Sequence, residues 1–333
     1  MRKMRKIMGC ITAAAMALVL SLSISVQASE IAPAGTPTTD EREVTVTKVY
    51  KLRNADTVSP GETFTLVQEG NGRVTDGEAT SAPHLGTVTG AAYALGEATT
   101  GGVSKVITIT LPEYTRVGVY EYTLKELIPA KPTAGVIYRS AEIRLVVTVI
   151  QGENGKLRIA AVHTEEENGD KNDSFENIYE AGKLNITKTV KGNLADPDQY
   201  FEFKVKLTGD STKQYKESYN ITKTSYAQNP TTIAVGEEKT VYLKHGETIT
   251  IPDLPYGVSY TVTETADPKY TTTSENTSGS ISSAETTASF TNTRTGTIDM
   301  GVNLDNIPYA LAFAVVVIAA GAALLFRKNR KQD

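Results

Sequence analysis

The sequence predicts an all-β protein: two tandem antiparallel β-sandwich domains carried between an N-terminal signal peptide and a C-terminal transmembrane helix. Three observations lead there. Apolar and polar residues alternate with period two along most of the chain, in β-branched runs separated by Gly, Pro, Asn and Asp. No amphipathic helical pattern of useful length interrupts them. The alternation runs once, pauses near 180–182, and starts again, which is the signature of two stacked-sheet units, each closing its own core.

Taken in order, residues 1–28 read as a signal peptide. Arg2, Lys3, Arg5 and Lys6 precede an apolar run over 7–24, and Val26-Gln27-Ala28 supplies a small-residue cleavage site. Residues 29–42 are polar with Pro and Gly, a linker. The first domain, 43–180, carries strand patterns at 43–52, 63–67, 105–111, 119–127, 142–150 and 156–162. Glu180-Ala181-Gly182 reads as a hinge. The second domain, 183–294, carries them at 184–190, 200–207, 240–243, 248–251, 258–264 and 288–293, with a Ser/Thr/Gly-rich loop at 274–283. Short strands with regular turn signals make both domains Ig-like sandwiches. Residues 295–306 form a connector, and 307–326 run without a charge, long enough to cross a bilayer as a helix. Arg327, Lys328, Arg330 and Lys331 in the tail at 327–333 place the C-terminus in the cytoplasm.

The 333 residues hold 34 Lys and Arg against 38 Asp and Glu, a formal charge of −4. Both ends are basic, so the part between them is more acidic than that figure. Such an exported domain pair repels phosphate backbones, which excludes nucleic acid as a partner. The one cysteine, Cys10, leaves with the signal peptide, so the mature chain has no disulfide. An exported protein of this kind needs another form of stabilisation.

The two halves share an ordered set of motifs. Each opens on an alternating strand with a lysine (VTVTKVYKL, LNITKTV). Each later has a strand ending in glutamate (GVYEYTLKE, GVSYTVTE). Each closes on Phe-x-Asn (FENIY, FTNTR). The shared order indicates an internal duplication. Alternation then assigns faces. Lys48 points with Val44, Val46, Tyr50 and Leu52, while Lys51 points away. Lys188 points with Leu184, Ile186 and Val190. Glu126 shares a face with Tyr120 and Tyr122, and Glu264 with Tyr260 and Val262. Asn177 lies in phase with Phe175 and Tyr179, and Asn292 with Phe290. Each half thus directs one Lys, one Glu and one Asn inward, where an unpaired charge costs several kcal/mol.

Chemistry explains such a trio. A desolvated lysine loses its proton more easily and becomes a nucleophilic amine. An acid in the same dry surroundings holds and passes protons. Enforced proximity makes attack on the asparagine carboxamide effectively unimolecular. Ammonia leaves, and an amide joins the first strand to the last. The expected bonds are Lys48–Asn177 promoted by Glu126 and Lys188–Asn292 promoted by Glu264. They would constrain the chain as a disulfide does, without being reducible. Each site reacts once, so the chain is not expected to be a turnover enzyme.

On these residues the sequence resembles Gram-positive major pilin subunits. Residues 43–180 resemble the streptococcal pilin isopeptide-linkage domain (FctA-like). Residues 183–294, notably FEFKVKLTG and ITIPDLPYGVSYTVTE, resemble a Cna B-type or related pilin domain. The resemblance implies the same self-catalysed bonds, and a pilus shaft or stalk subunit at the cell surface, membrane-anchored and wall- or pilus-linked. Its implied partners are identical subunits or other pilins, a sortase, and the membrane through the C-terminal helix. It implies a sorting motif ending in Thr-Gly. Ile298, Asp299, Met300 and Gly301 stand there, with Met300 in place of Thr. It also implies an exposed lysine that receives the next subunit, for which Lys171 is the candidate. Met300 keeps a second reading open: a membrane-tethered adhesin or ligand-binding stalk that does not polymerise. No cofactor is expected. His84, His163 and His245 lack metal-ligand spacing, so no metal is expected either. A carbohydrate-active enzyme would need two carboxylates in one cleft, whereas Glu126 and Glu264 fall in separate domains.

Overall fold

The computed structural model describes residues 42–297 and 311–320. The signal peptide, residues 29–41 of the linker, the sorting region 298–301 and the rest of the predicted span lie outside these residues. The described residues form twenty strands. In the first half they are β1 (Glu43–Leu52), β2 (Glu62–Phe64), β3 (Leu66–Gly77), β4 (Ala91–Tyr93), β5 (Val103–Thr110), β6 (Gly118–Glu126), β7 (Val136–Ile137), β8 (Ile143–Gln151), β9 (Leu157–Glu165) and β10 (Ser174–Tyr179). In the second they are β11 (Ala181–Lys191), β12 (Phe201–Thr208), β13 (Tyr219–Asn220), β14 (Thr232–Ile233), β15 (Glu238–Leu243), β16 (Thr248–Pro255), β17 (Ser259–Glu264), β18 (Thr271–Glu275), β19 (Ser278–Ser280) and β20 (Glu285–Thr293). Residues 311–320 are helical, and among the described residues no helix is long and apolar enough to cross a membrane.

Each half is a sandwich of two four-stranded sheets. The first stacks β5-β1-β10-β7 on β3-β6-β8-β9; the second stacks β16-β11-β20-β18 on β15-β12-β17-β19. The alternation that suggested strands is the alternation that fills the cores. In β6 every second residue from Gly118 to Glu126 is buried, and in β1 the buried set is Val44, Val46, Lys48, Tyr50 and Leu52. Tyr50, Tyr120, Tyr122, Tyr179 and Phe64 are the bulkiest fully buried side chains of the first core. Fully burying a side chain of this size contributes about 1.5–3 kcal/mol. The second core gathers Phe203, Phe290, Leu184, Ile186 and Val205.

The sandwiches are not purely antiparallel, which corrects the sequence-based expectation. β1 pairs in parallel with β10, and β11 pairs in parallel with β20. The reason lies in the path of the chain. Each sandwich is entered at one pole and left at the opposite one, so its first and last strands run the same way. β10 then passes straight into β11 through Glu180. That junction is not a free hinge: Glu180 N–H donates to Gly135 O, Tyr256 N–H donates to Glu180 O, and Ala181 is already in register with Pro255. Gly135, at φ +81°, makes the approach possible, since a Cβ there would lie 2.6 Å from Glu180 O.

Further contacts tie the halves together. Asp253, itself at φ 59°, accepts the Val58 N–H on Oδ1 at 2.7 Å, and its carbonyl receives the Tyr179 hydroxyl at 3.4 Å. Asn54 donates to Ala181 O and to the Tyr256 hydroxyl. The predicted loop at 274–283 also differs. It holds the end of β18 and all of β19, joined by a turn at Asn276 (φ 52°) and paired not with each other but with β20 and β17 of opposite sheets. Every residue of both strands is exposed, so no apolar alternation marks them in the sequence.

Candidate functional site

Lys48, Glu126 and Asn177 meet inside the first sandwich. The parallel register sets Lys48 opposite Phe175 and Tyr50 opposite Asn177, so the lysine and the asparagine lie diagonally on one inward face. Glu126, at the end of β6, projects from the facing sheet. Lys48 Nζ donates to Asn177 Oδ1 and to Glu126 Oε2, each at 2.7 Å, and Asn177 Nδ2 donates to Glu126 Oε1 at 2.5 Å. The triangle is closed and dry: Lys48 is 2%, Glu126 6% and Asn177 1% exposed. The Phe64 ring lies 5.1 Å from Lys48 Nζ, and the Tyr93 hydroxyl holds the Lys48 carbonyl at 2.6 Å.

The second sandwich repeats the placement. Lys188 lies opposite Phe290 and Val190 opposite Asn292, the same two-residue offset. Glu264 ends β17 in the facing sheet. Lys188 Nζ donates to Glu264 Oε1 at 2.7 Å, and Asn292 Nδ2 donates to the same oxygen at 2.5 Å. Here Glu264 Oε2 and Asn292 Oδ1 are buried without a hydrogen-bond partner. Two rings cover the amine, Phe201 at 4.2 Å and Phe203 at 5.6 Å.

Burial pushes both lysines below the ordinary amine value. Loss of hydration is the largest cause at Lys48; Glu126 opposes it by charge and hydrogen bonding, and Arg139 adds to it. Desolvation likewise leads at Lys188, with Glu264 opposing. Each site therefore presents an amine with a lowered cost of deprotonation, an acid bonded to both partners, and a carboxamide beside them.

The other candidates fall elsewhere. Lys171 is exposed in the turn between β9 and β10, bridged to Glu165. Ile298, Asp299, Met300 and Gly301 are outside the described residues. His163 pairs with Glu165, and His245 Nδ1 accepts the Val190 N–H. Among the described residues no group of three or more metal-ligating side chains occurs. Sequence reasoning did not single out the aromatic cover of the amines. Phe201 and Phe203 carried a usable signal, being two apart and in phase within FEFKVKLTG. Phe64 sits in a three-residue strand too short to show one.

The fold and these sites define a class: tandem β-sandwiches whose first and last strands face each other through a buried lysine and asparagine beside a glutamate. Comparison with known proteins points the same way. Residues 44–180 match the Spy0128-like isopeptide containing domain. Residues 182–294 match a family described as a domain of unknown function, DUF7601. A pilin of Streptococcus pyogenes serotype M1 is 29% identical over 314 residues, covering 86% of this chain and 91% of that protein. The pilus tip adhesin Cpa of Streptococcus pyogenes is 33% identical over 89 residues, 26% of this chain and 12% of its own length. The crystal structure of the major pilin from Streptococcus pyogenes aligns with a TM-score of 0.52 at 25% identity, over 78% of this chain and 100% of that one. The first sandwich thus carries the isopeptide containing domain, and along most of its length the chain is similar to Gram-positive pilins.

Proposed function

We propose that this protein is a structural subunit of a Gram-positive pilus, with each sandwich stapled by a self-formed amide between lysine and asparagine. The observation that carries the reading is the closed Lys48–Glu126–Asn177 triangle in a dry interior. The reaction balances without a co-reactant. Lys48 Nζ passes one proton to Glu126 Oε2. The free amine attacks Asn177 Cγ, forming the Nζ–Cγ bond. Glu126 then delivers its proton to Asn177 Nδ2 and takes a second one from Nζ. The Cγ–Nδ2 bond breaks, ammonia leaves, and Glu126 ends protonated beside the new amide. Proximity supplies most of the rate, and the site works once. Lys188, Glu264 and Asn292 are assigned the same roles. The chain is read as a structural protein, not a turnover enzyme.

The surface role rests on the similarity to pilins. Export by the signal peptide, anchoring through 307–326, and assembly with identical or other pilins by a sortase complete the reading. Lys171 is the proposed acceptor for the next subunit, and the region around Met300 the proposed transfer site. The pole-to-pole path of the chain supports this, because Lys171 lies just before β10, at the pole where β1 begins, while β20 ends at the pole where β11 ends. Immunoblots of cell-wall extracts test it. A ladder of high-mass species is expected, lost on Lys171→Ala. A single band of monomer mass would instead favour the tethered adhesin.

A further inference from the structure

Arg139 takes no part in the chemistry just described, yet it is tied to the first site from outside. Its side chain is 17% exposed, and its guanidinium carbon lies 4.7 Å from the centroid of the Phe175 ring. Phe175 is the register partner of Lys48, stands two residues before Asn177 on the same face, and is 2% exposed. Arg139 Nε donates to Ala141 O at 3.2 Å, and its terminal nitrogen pairs with Glu166 Oε2. The other oxygen of Glu166 receives Asn172 Nδ2 at 2.7 Å, and Asn172 Oδ1 receives the Ser174 N–H at 2.9 Å. Glu166 also shapes the turn, since its N–H donates to Asp170 O and its carbonyl accepts from Gly169. One polar chain thus runs from the turn at 166–173 through Glu166 and Arg139 to the ring beside Lys48. The second sandwich is built otherwise. Its equivalent ring, Phe290, meets Phe203 edge-on at 5.0 Å.

We propose that Arg139 is a positioning residue for bond formation in the first sandwich. It clamps Phe175 beside Lys48 and is itself held by the 166–173 turn, so the amine is desolvated only once that turn has folded. The proposal rests on the Lys48–Asn177 reading. A planar guanidinium suits this place because it stacks on a ring with one face while its edge forks to a carboxylate and a carbonyl. The groups that act on Lys48 electrostatically are Glu126 on β6, Glu176 on β10 and Arg139 itself. Removing Arg139 takes a cation away and lets water reach the amine. Both changes favour the ammonium, so reaction shifts to higher pH.

The test is a pulse of cell-free synthesis of the ectodomain, quenched at intervals and read by intact mass, in a Lys188→Ala background so that only the first bond counts. Arg139→Ala should slow the loss of ammonia about tenfold at neutral pH, as for a lysine displaced by one pKa unit. Its rate profile should move to higher pH. Glu166→Ala should slow closure in the same sense, and the double variant should be no slower than Arg139→Ala alone. In a Lys48→Ala background the second bond should close at an unchanged rate. Should Arg139→Ala not fold, Glu166→Gln, which keeps Arg139 but removes its anionic anchor, must show the slower closure and displaced profile. Unchanged closure, slowing without a displaced profile, or equal slowing of both bonds would overturn the proposal. A wild-type chain that never loses ammonia would instead defeat the isopeptide reading beneath it.

Discussion

Lys48 Nζ lies 2.7 Å from Asn177 Oδ1, although 129 positions separate the two residues in sequence. The approach follows from the parallel pairing of β1 with β10, which sets the asparagine opposite the residue two beyond the lysine. The second sandwich keeps that offset between Lys188 and Asn292. A bond at either place would join the strand by which the chain enters a sandwich to the strand by which it leaves. Tension along the molecule would then bypass the strands between them.

Removing an amine should restore one ammonia and weaken its own sandwich. For Lys48→Ala the bridged loop is long, and a cross-link of that span stabilises by about 4–5 kcal/mol in the chain-entropy account. The loss should be larger in practice, since truncating the buried Lys48 stem also leaves a cavity in the core. Thermal unfolding and limited proteolysis measure it: a lower melting temperature and cleavage confined to the first sandwich are expected. Lys188→Ala should give the same result confined to the second. Unchanged melting in both variants would contradict the account.

Glu126→Gln separates proton transfer from proximity. The amide nearly matches the carboxylate in shape and can still meet Asn177, but it cannot accept the lysine proton. Lys48 and Asn177 should remain side by side and unjoined, with that sandwich's ammonia retained in the intact mass. Glu264→Gln should do the same for the second site. Full closure at the wild-type rate would remove the glutamates from the mechanism.

The unreacted site should leave a mark on stability against pH. In Asn177→Ala the amine stays free, and burial holds it below the ordinary 10.5. The unfolded chain therefore binds the extra proton between the two values, and stability rises with pH through that window at up to about 1.4 kcal/mol per unit. The burial penalty is fully present below the folded value and is relieved as pH approaches 10.5. Urea unfolding of this variant against Asn177→Ala with Lys48→Met should show a stability gap that narrows with rising pH. A gap that stays constant or widens would show that burial does not depress the amine.

Asp253 should couple the two sandwiches. Its carboxylate holds the Val58 N–H at 2.7 Å and lies 3.7 Å from Lys216, whose Nζ also reaches Val58 O. Asp253→Ala loses these contacts and places a side chain without local hydrogen bonding at φ 59°. A cost of about 1–3 kcal/mol at the junction is expected. Hydrogen exchange at the Val58 amide should quicken, with amides in the centres of β6 and β12 unaffected. Unaltered exchange at Val58 would mean the junction is held by other contacts.

The sequence displayed the sites better than it displayed the sheets. Lys48, Lys188, Glu126, Asn177 and Asn292 were legible because each interrupts a period-two apolar phase, and because the interruption recurs in the same order in both halves. The direction of pairing was not legible. Alternation of faces is identical in parallel and antiparallel ladders, so nothing in VTVTKVYKL distinguishes a β10 neighbour running alongside from one running against it. β18 and β19 were hidden for another reason: exposed Thr, Ser and Gly are ordered there by backbone pairing and the turn at Asn276, which leave no hydrophobic trace. Arg139 carried no signal, because its role depends on the fold bringing Phe175 and Glu166 to either side of it.

The central claim is the formation of two amides, and intact mass of the secreted ectodomain tests it most directly. The account predicts a mass about 34 Da below that of the processed sequence, one ammonia of about 17 Da per site. One increment should return in Lys48→Ala and the other in Lys188→Ala. A wild-type mass equal to that of the unmodified chain would contradict it.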